Sequence, residues 1–267
     1  MRDVSFGQYY PSNSFVHKCD PRLKIVFLIA YIVAIFMANN FYALGACAFV
    51  FLLTACFSGV AIGKLLKSVR AILFLLLFTA VLNLFFHEGQ TPLWEGSFLT
   101  KEAVYFTVFL AVRLFLLVLG SSLLTLTTTP VSLTDGIESL LTPLKWIRFP
   151  VHELALIMSI ALRFIPILTD ETGRIMNAQK ARGADFETGG LVKRIKALTP
   201  ILIPLLISAF RRADELGDAM DARCYSGSKK RTKYKKLKFG WRDLLGLLLV
   251  AALITGVVLL RVFPAVV

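Results

Sequence analysis

The sequence predicts an all-α integral membrane protein, with about five transmembrane helices and a cytoplasmic domain of long amphipathic helices. Three observations carry that prediction. The chain is 57% hydrophobic over 267 residues and holds 22 Phe. Its apolar residues gather in separate blocks close to the ~20 residues that a helix needs to cross a bilayer. The net charge of +13 is also unevenly spread, residues 128–242 carrying 20 Lys and Arg against 11 Asp and Glu. In a membrane protein such a bias marks cytoplasmic surface. Nucleic acid is the poorer partner for it, because the basic run at 229–238 leads at once into Trp241 and the last apolar block. That run reads as a juxtamembrane segment meeting anionic lipid.

The elements follow in order. Asp20 is placed to cap a helix whose first-turn residue is Pro21, where a missing N–H costs nothing. The N-terminal domain, 1–127, then holds four spans at about 23–38, 41–60, 71–86 and 103–126. Asn39-Asn40 breaks the first pair, and Lys64, Lys67 and Arg70 mark a basic turn before the third. A loop at 87–102 carries Glu88, Glu95 and Glu102 against Lys101. Arg113 lies inside the fourth span, costly in lipid unless it meets protein or water. A final span follows within 240–267. The positive-inside rule puts the N-terminus and residues 128–239 in the cytoplasm, and the C-terminus outside.

The 128–239 domain contains one pattern twice. Two long segments, about 151–182 and 191–223, are apolar at first, then polar, and each ends on an arginine between small residues. The endings are Ala181-Arg182-Gly183 and Ala222-Arg223-Cys224, 41 residues apart. Read backward at steps of three and four, the first segment gives Ile165, Ala161, Met158 and Leu154, the second Ala209, Leu206 and Leu202. Both are heptad-like stripes suited to helix packing, with small residues allowing a close crossing. The stretches 151–168 and 198–210 approach span composition, but Arg163, Pro166, Pro200 and Pro204 favour helices lying along the membrane face. Gly183 suits a left-handed helix stop, and Gly189-Gly190 a reversal, while Gly227 is expected to stop the second helix. A cation at a helix C-terminus is favoured by the dipole, which accounts for one arginine without any partner. Arginine also presents a fixed fork of donors to a carboxylate or to carbonyls, and two such tips suit two similar grooves on a partner pair.

These residues resemble a known family, the transmembrane coupling (T) component of energy-coupling factor importers of vitamins and metal ions. The resemblance rests on Ser14-Phe15-Val16-His17-Lys18-Cys19-Asp20-Pro21-Arg22-Leu23-Lys24, on Ala181-Arg182-Gly183, and on Arg211-Arg212-Ala213-Asp214-Glu215 through Ala219-Met220-Asp221-Ala222-Arg223-Cys224-Tyr225. It covers nearly the whole chain, with Cys19 standing where the family more often has an aliphatic residue. It implies a multi-pass protein of the bacterial cell membrane and a non-catalytic role without cofactor. It further implies that Arg182 and Arg223 dock on two cytoplasmic ABC-type ATPase subunits. The faces bearing Leu154, Met158, Ala161, Ile165, Leu202, Leu206 and Ala209 would then bed a substrate-specific membrane S component. His17, Asp20, Pro21 and Arg22 would form the family's N-terminal motif.

Other signals are weaker. Gly59 to Lys64 glances at a phosphate loop but has the wrong spacing and no following Ser or Thr. Cys19, Cys47, Cys56 and Cys224 form no C-x-x-C, and no histidine sits in a cluster with metal spacing, so no metal site is expected. A self-sufficient secondary transporter or channel is the alternative; it calls for ionisable residues in several spans, whereas only Arg113 stands out. A membrane enzyme would need a nucleophile–base or metal constellation that the sequence does not offer.

Overall fold

The computed structural model describes residues 9–12, 14–86, 91, 100–147, 149–184, 186, 190–225, 227 and 240–262. Most of the acidic loop expected at 87–102, the basic run at 229–238, His87, Gly189 and the C-terminal five residues lie outside the described residues. The described elements are helical. They are α1 (Pro21–Met37), α2 (Phe41–Ser58), α3 (Ile62–Phe86), α4 (Lys101–Thr127), α5 (Pro130–Leu140), a 3-10 turn (Thr142–Ile147), α6 (Val151–Ala181), α7 (Leu191–Ala222) and α8 (Trp241–Val262). Two compact units result, one of Met1–Val151 with Leu237–Val267, the other of His152–Lys236.

In the first unit α1 packs against α2, α4, α5 and α8, and α3 packs on α4. Asp20 caps α1 through its side chain, which accepts from the Arg22 N–H, with Pro21 at the first helical position. The core gathers Tyr31, Ile35, Leu44, Cys47, Leu116, Leu123 and Val257. Outside it the surface is apolar as well: Phe36, Phe49, Phe74 and Phe85 are all more than 60% exposed. So many large apolar side chains left exposed are unfavourable in water and fit lipid. Four helices, α2, α4, α6 and α8, are long and apolar enough to cross a membrane. α3 makes five if its arms Gly63–Arg70 and Ile72–Phe85, bent by 58°, form one span.

Two local readings change, and the bounds of the two long helices hold. Lys64, Lys67 and Arg70 do not form a turn; α3 begins at Ile62 and they ride on its first arm. A helix absent from the sequence reading, α5, starts from Thr129, whose side chain accepts from the Ser132 N–H, with Pro130 in the first turn. Thr-Pro is a helix start by the same logic as Asp20-Pro21, so the signal lies in the sequence itself. α6 and α7 run unbroken through Pro166, Pro200 and Pro204. A proline removes one intrahelical hydrogen bond, a loss the rest of a 31- or 32-residue helix outlasts. By length and composition alone α6 also qualifies as a span.

Arg113 finds its partner inside the bundle. Its Nη2 donates to the carbonyl of Ala38, which follows the last turn of α1, and its guanidinium lies 4.7 Å from the Phe109 ring centroid. A cation at a helix C-terminus meets the negative end of the dipole, and the ring covers its face. The charge that looked costly in lipid thus closes a helix end.

α1 and α4 cross closely at Gly120, where an added Cβ would stand 2.5 Å from Tyr31 Cε1. Tyr31 is 2% exposed, so its ring must shift within the bundle, whose cavity it lines, to admit the added carbon. Gly120→Ala is expected to destabilise the detergent-purified chain by about 1–3 kcal/mol, the usual cost of overpacking. Gly45→Ala, where the added carbon meets nothing within 4 Å, is the control and should not lower the melting temperature.

Candidate functional site

Both arginine motifs stand at helix ends of the second unit, and the two ends are built alike. At the first, the Gly183 N–H donates to the Lys180 carbonyl at 3.0 Å and the Ala184 N–H to the Gln179 carbonyl at 3.0 Å. At the second, the Cys224 N–H donates to Asp221 at 2.9 Å and the Tyr225 N–H to Met220 at 3.0 Å. This paired pattern satisfies the last carbonyls of a helix and requires a left-handed residue just past its end. Gly183 (φ +88°) and Cys224 (φ +55°) supply it. Arg182 and Arg223 occupy the same position in each motif, the residue before the left-handed one. Both are exposed.

The second helix ends at Ala222, within a residue of the expected 191–223, but its left-handed residue is Cys224, three positions before the glycine expected to stop it. Cys224 is the described non-glycine residue with positive φ. Its Cβ crowds the backbone there, a cost of about 1 kcal/mol that glycine avoids. Sequence reasoning looked for glycine and missed the cysteine, although the repeat of Ala-Arg-small residue placed it in register with Gly183. Cys224→Gly is expected to stabilise the purified chain by about 1 kcal/mol, and Gly183→Ala to destabilise it by a similar amount. Thermal unfolding of the three chains side by side measures both.

The helices behind these tips are tied by Arg212 on α7, whose Nη2 lies 3.5 Å from Glu171 Oε2 on α6. The packing stripes are not buried within the chain. Leu154, Met158, Ala161, Ile165, Leu202 and Leu206 are exposed and Ala209 half-buried; Ala155, Ile201 and Ser208 are buried instead. Ile157, Ile207 and Phe210, each at least 64% exposed, widen the same apolar surface.

The N-terminal motif belongs to the first unit and forms a polar knot. His17 Nε2 donates to the Tyr10 carbonyl at 2.9 Å, leaving Nδ1 to accept from the Ser14 hydroxyl at 2.6 Å. The Lys24 ammonium donates to the carbonyls of His17 (3.3 Å) and Thr127 (3.0 Å), joining α1 to the end of α4. Asp20 donates its N–H to Asp243 Oδ1 at 2.9 Å, while Asp243 Oδ2 accepts from Gly240 at 2.8 Å. Asp20 and Asp243 are both buried, and the bond between them spans 223 residues of sequence. Pro21 takes the first helical position, and Arg22 Nε lies 4.0 Å from Asp20 Oδ1. Asp243 was not singled out from the sequence; its one signal is a carboxylate at the start of an otherwise apolar span.

Burial, aided by the nearby Lys24 ammonium, holds His17 below its ordinary pKa. A lowered folded-state value means that the unfolded chain binds the proton more readily. His17 therefore stabilises the fold above the unfolded-state pKa of about 6.5 and loses that contribution as pH falls through it. The melting temperature of wild type is expected to fall more steeply than that of His17→Gln between pH 7.5 and 5.5. Parallel slopes would remove His17 from the account.

Among the described residues, no group of three His, Cys, Asp or Glu side chains could hold a metal ion. Residues 12–234 match the family model described as cobalt transport protein, CbiQ. The chain is 46% identical over 263 residues to the energy-coupling factor transporter transmembrane protein EcfT of Ruminiclostridium cellulolyticum, covering 98% of both. It is 47% identical to that of Clostridium kluyveri, again over 98% of both, and 42% identical to that of Bacillus subtilis over 95% of this chain and 98% of the other. With such identity over nearly its whole length, the chain belongs to the EcfT family of energy-coupling factor transporter transmembrane proteins.

Proposed function

We propose that this membrane subunit couples ATP hydrolysis to uptake, docking on two cytoplasmic ABC-type ATPase subunits through Arg182 and Arg223. The observation that carries this reading is the identical build of the two tips: one exposed arginine before one left-handed residue, at the end of one long helix, twice. One arginine is explained by the helix dipole; a repeated tip with a small or tightly turned neighbour favours two similar grooves. In this reading residues 128–239 form the cytoplasmic coupling domain between the transmembrane domain 1–127 and the last span, 240–267. The N-terminus is cytoplasmic and the C-terminus outside.

The exposed apolar faces of α6 and α7, with Leu154, Met158, Ile165, Leu202 and Leu206, are the bed for a substrate-specific membrane subunit. Ala161 and Ala209 let its helices approach closely. Motion imposed at the arginine tips travels along these helices, α6 being about 46 Å long at 1.5 Å per residue. The cargo, a vitamin or a metal ion, is chosen by that second subunit. The test is copurification: the Arg182→Ala/Arg223→Ala chain should reach the membrane at normal levels yet lose its ATPases. Normal ATPase recovery with the double variant would overturn the reading.

A further inference from the structure

In the first unit a cavity of about 600 Å³ lies among α1, α2, α4 and α8. Its walls are almost wholly apolar, and its charged groups gather at one end, where α1 and α8 begin and α4 finishes. There Lys24, Thr127 and Asp243 line it beside Trp241. The groups at this end are engaged: Lys24 donates to two carbonyls, one of them Thr127's, and both oxygens of Asp243 accept backbone N–H groups, while at the far end of the α1 lining the buried Tyr31 hydroxyl has no partner among the described residues. A charged or strongly polar ligand would find little beyond the third Lys24 N–H there, whereas a hydrocarbon matches the walls. The rim residues Val26, Phe57, Leu245 and Leu247 are exposed, so the cavity opens on the bundle's apolar outer surface.

Its dimensions select among hydrocarbons. Along α1 the lining runs from Leu23 to Tyr31 and along α8 from Trp241 to Val250, about 12 Å and 14 Å at 1.5 Å per residue. Half of a bilayer's hydrocarbon core is about 15 Å deep. A chain entering beside Trp241, an amphipathic ring suited to headgroup level, would traverse one leaflet and stop. Gly246 lines the cavity, and a Cβ added there would meet nothing within 4 Å. The missing side chain helps to leave the space open. We propose that this cavity holds one acyl chain of a membrane phospholipid, with its headgroup at the Trp241 end.

The test purifies the full-length chain from membranes into mild detergent and weighs it intact by native mass spectrometry. Wild type is expected to retain one phospholipid per chain. Gly246→Phe, which fills the cavity, is expected to retain about tenfold less, the loss that ~1.4 kcal/mol of binding produces. Gly256→Phe, also on α8 at an open position but away from the cavity, should retain it as wild type does. No lipid on wild type, equal retention by Gly246→Phe, equal loss in Gly256→Phe, or a bound mass that is not a lipid would each overturn the proposal. A second measurement is independent of the variants' folding. In a Trp94→Phe/Trp146→Phe background loaded with phosphatidylcholine brominated on its chains, Trp241 should stay quenched after exchange into lipid-free detergent. Full recovery of its fluorescence would also overturn it.

Discussion

Replacing Arg182 and Arg223 together by alanine is expected to abolish ATPase capture and uptake while leaving the fold nearly unchanged. The energies separate the two explanations of these residues. If each arginine only compensates a helix dipole, its loss costs some tenths of a kcal/mol of stability at an exposed site and lysine replaces it fully. If each inserts a guanidinium fork into a groove, charged hydrogen bonds worth about 1.5–3 kcal/mol are lost per site. Two sites then total about 3–6 kcal/mol, a 10²–10⁴-fold loss of complex. Lysine keeps the charge but not the fork, so Arg182→Lys/Arg223→Lys should recover membrane stability and only a small part of ATPase binding. Titration of purified ATPases onto wild type and both double variants reads the difference. Full rescue by lysine would mean that charge and not the guanidinium fork makes the contact, and unimpaired ATPase binding by the alanine variant would return the arginines to a dipole role.

Asp243→Ala is expected to produce the largest loss of stability among single substitutions in the first unit. Asp243 is 4% exposed and accepts from the Asp20 and Gly240 N–H groups. Gly240 is exposed and can turn to water, but the Asp20 N–H is stranded beside a buried carboxylate. Lys24 also loses a nearby anion. Together these cost on the order of 2–5 kcal/mol. Asp243→Asn keeps one carbonyl acceptor and should fall between wild type and alanine. The melting temperature in detergent and the protease sensitivity of α8 give the measurement. Equal melting of Asp243→Ala and wild type would mean that α8 is held by apolar packing alone.

How much was legible follows from the range over which each signal acts. The Asp20-Pro21 start of α1 was readable because a cap and its helix lie within a few residues of each other. The apolar blocks were readable because lipid demands length and composition, which are local sums. Ala181-Arg182-Gly183 and Ala222-Arg223-Cys224 were legible as a repeat, and their family stands on the comparison with whole chains. The stop at Cys224 was missed because residue preference points to glycine, whereas the hydrogen bonds to Met220 and Asp221 impose a left-handed turn on whatever residue sits there.

By itself, then, the sequence determined that this is an all-helical membrane protein and that two arginines close two long helices. Only the tertiary structure decided where Arg113 and Asp243 find their partners. Arg113 reaches the end of α1 from within α4, and Asp243 bonds a residue 223 positions away. Such pairs depend on where helices cross, and a crossing is set by the summed packing of many side chains, as at Gly120 against Tyr31. The same distinction applies to the arginine tips. Their residues were visible in the chain, but their common geometry appeared only when the backbone hydrogen bonds past each helix end were in place.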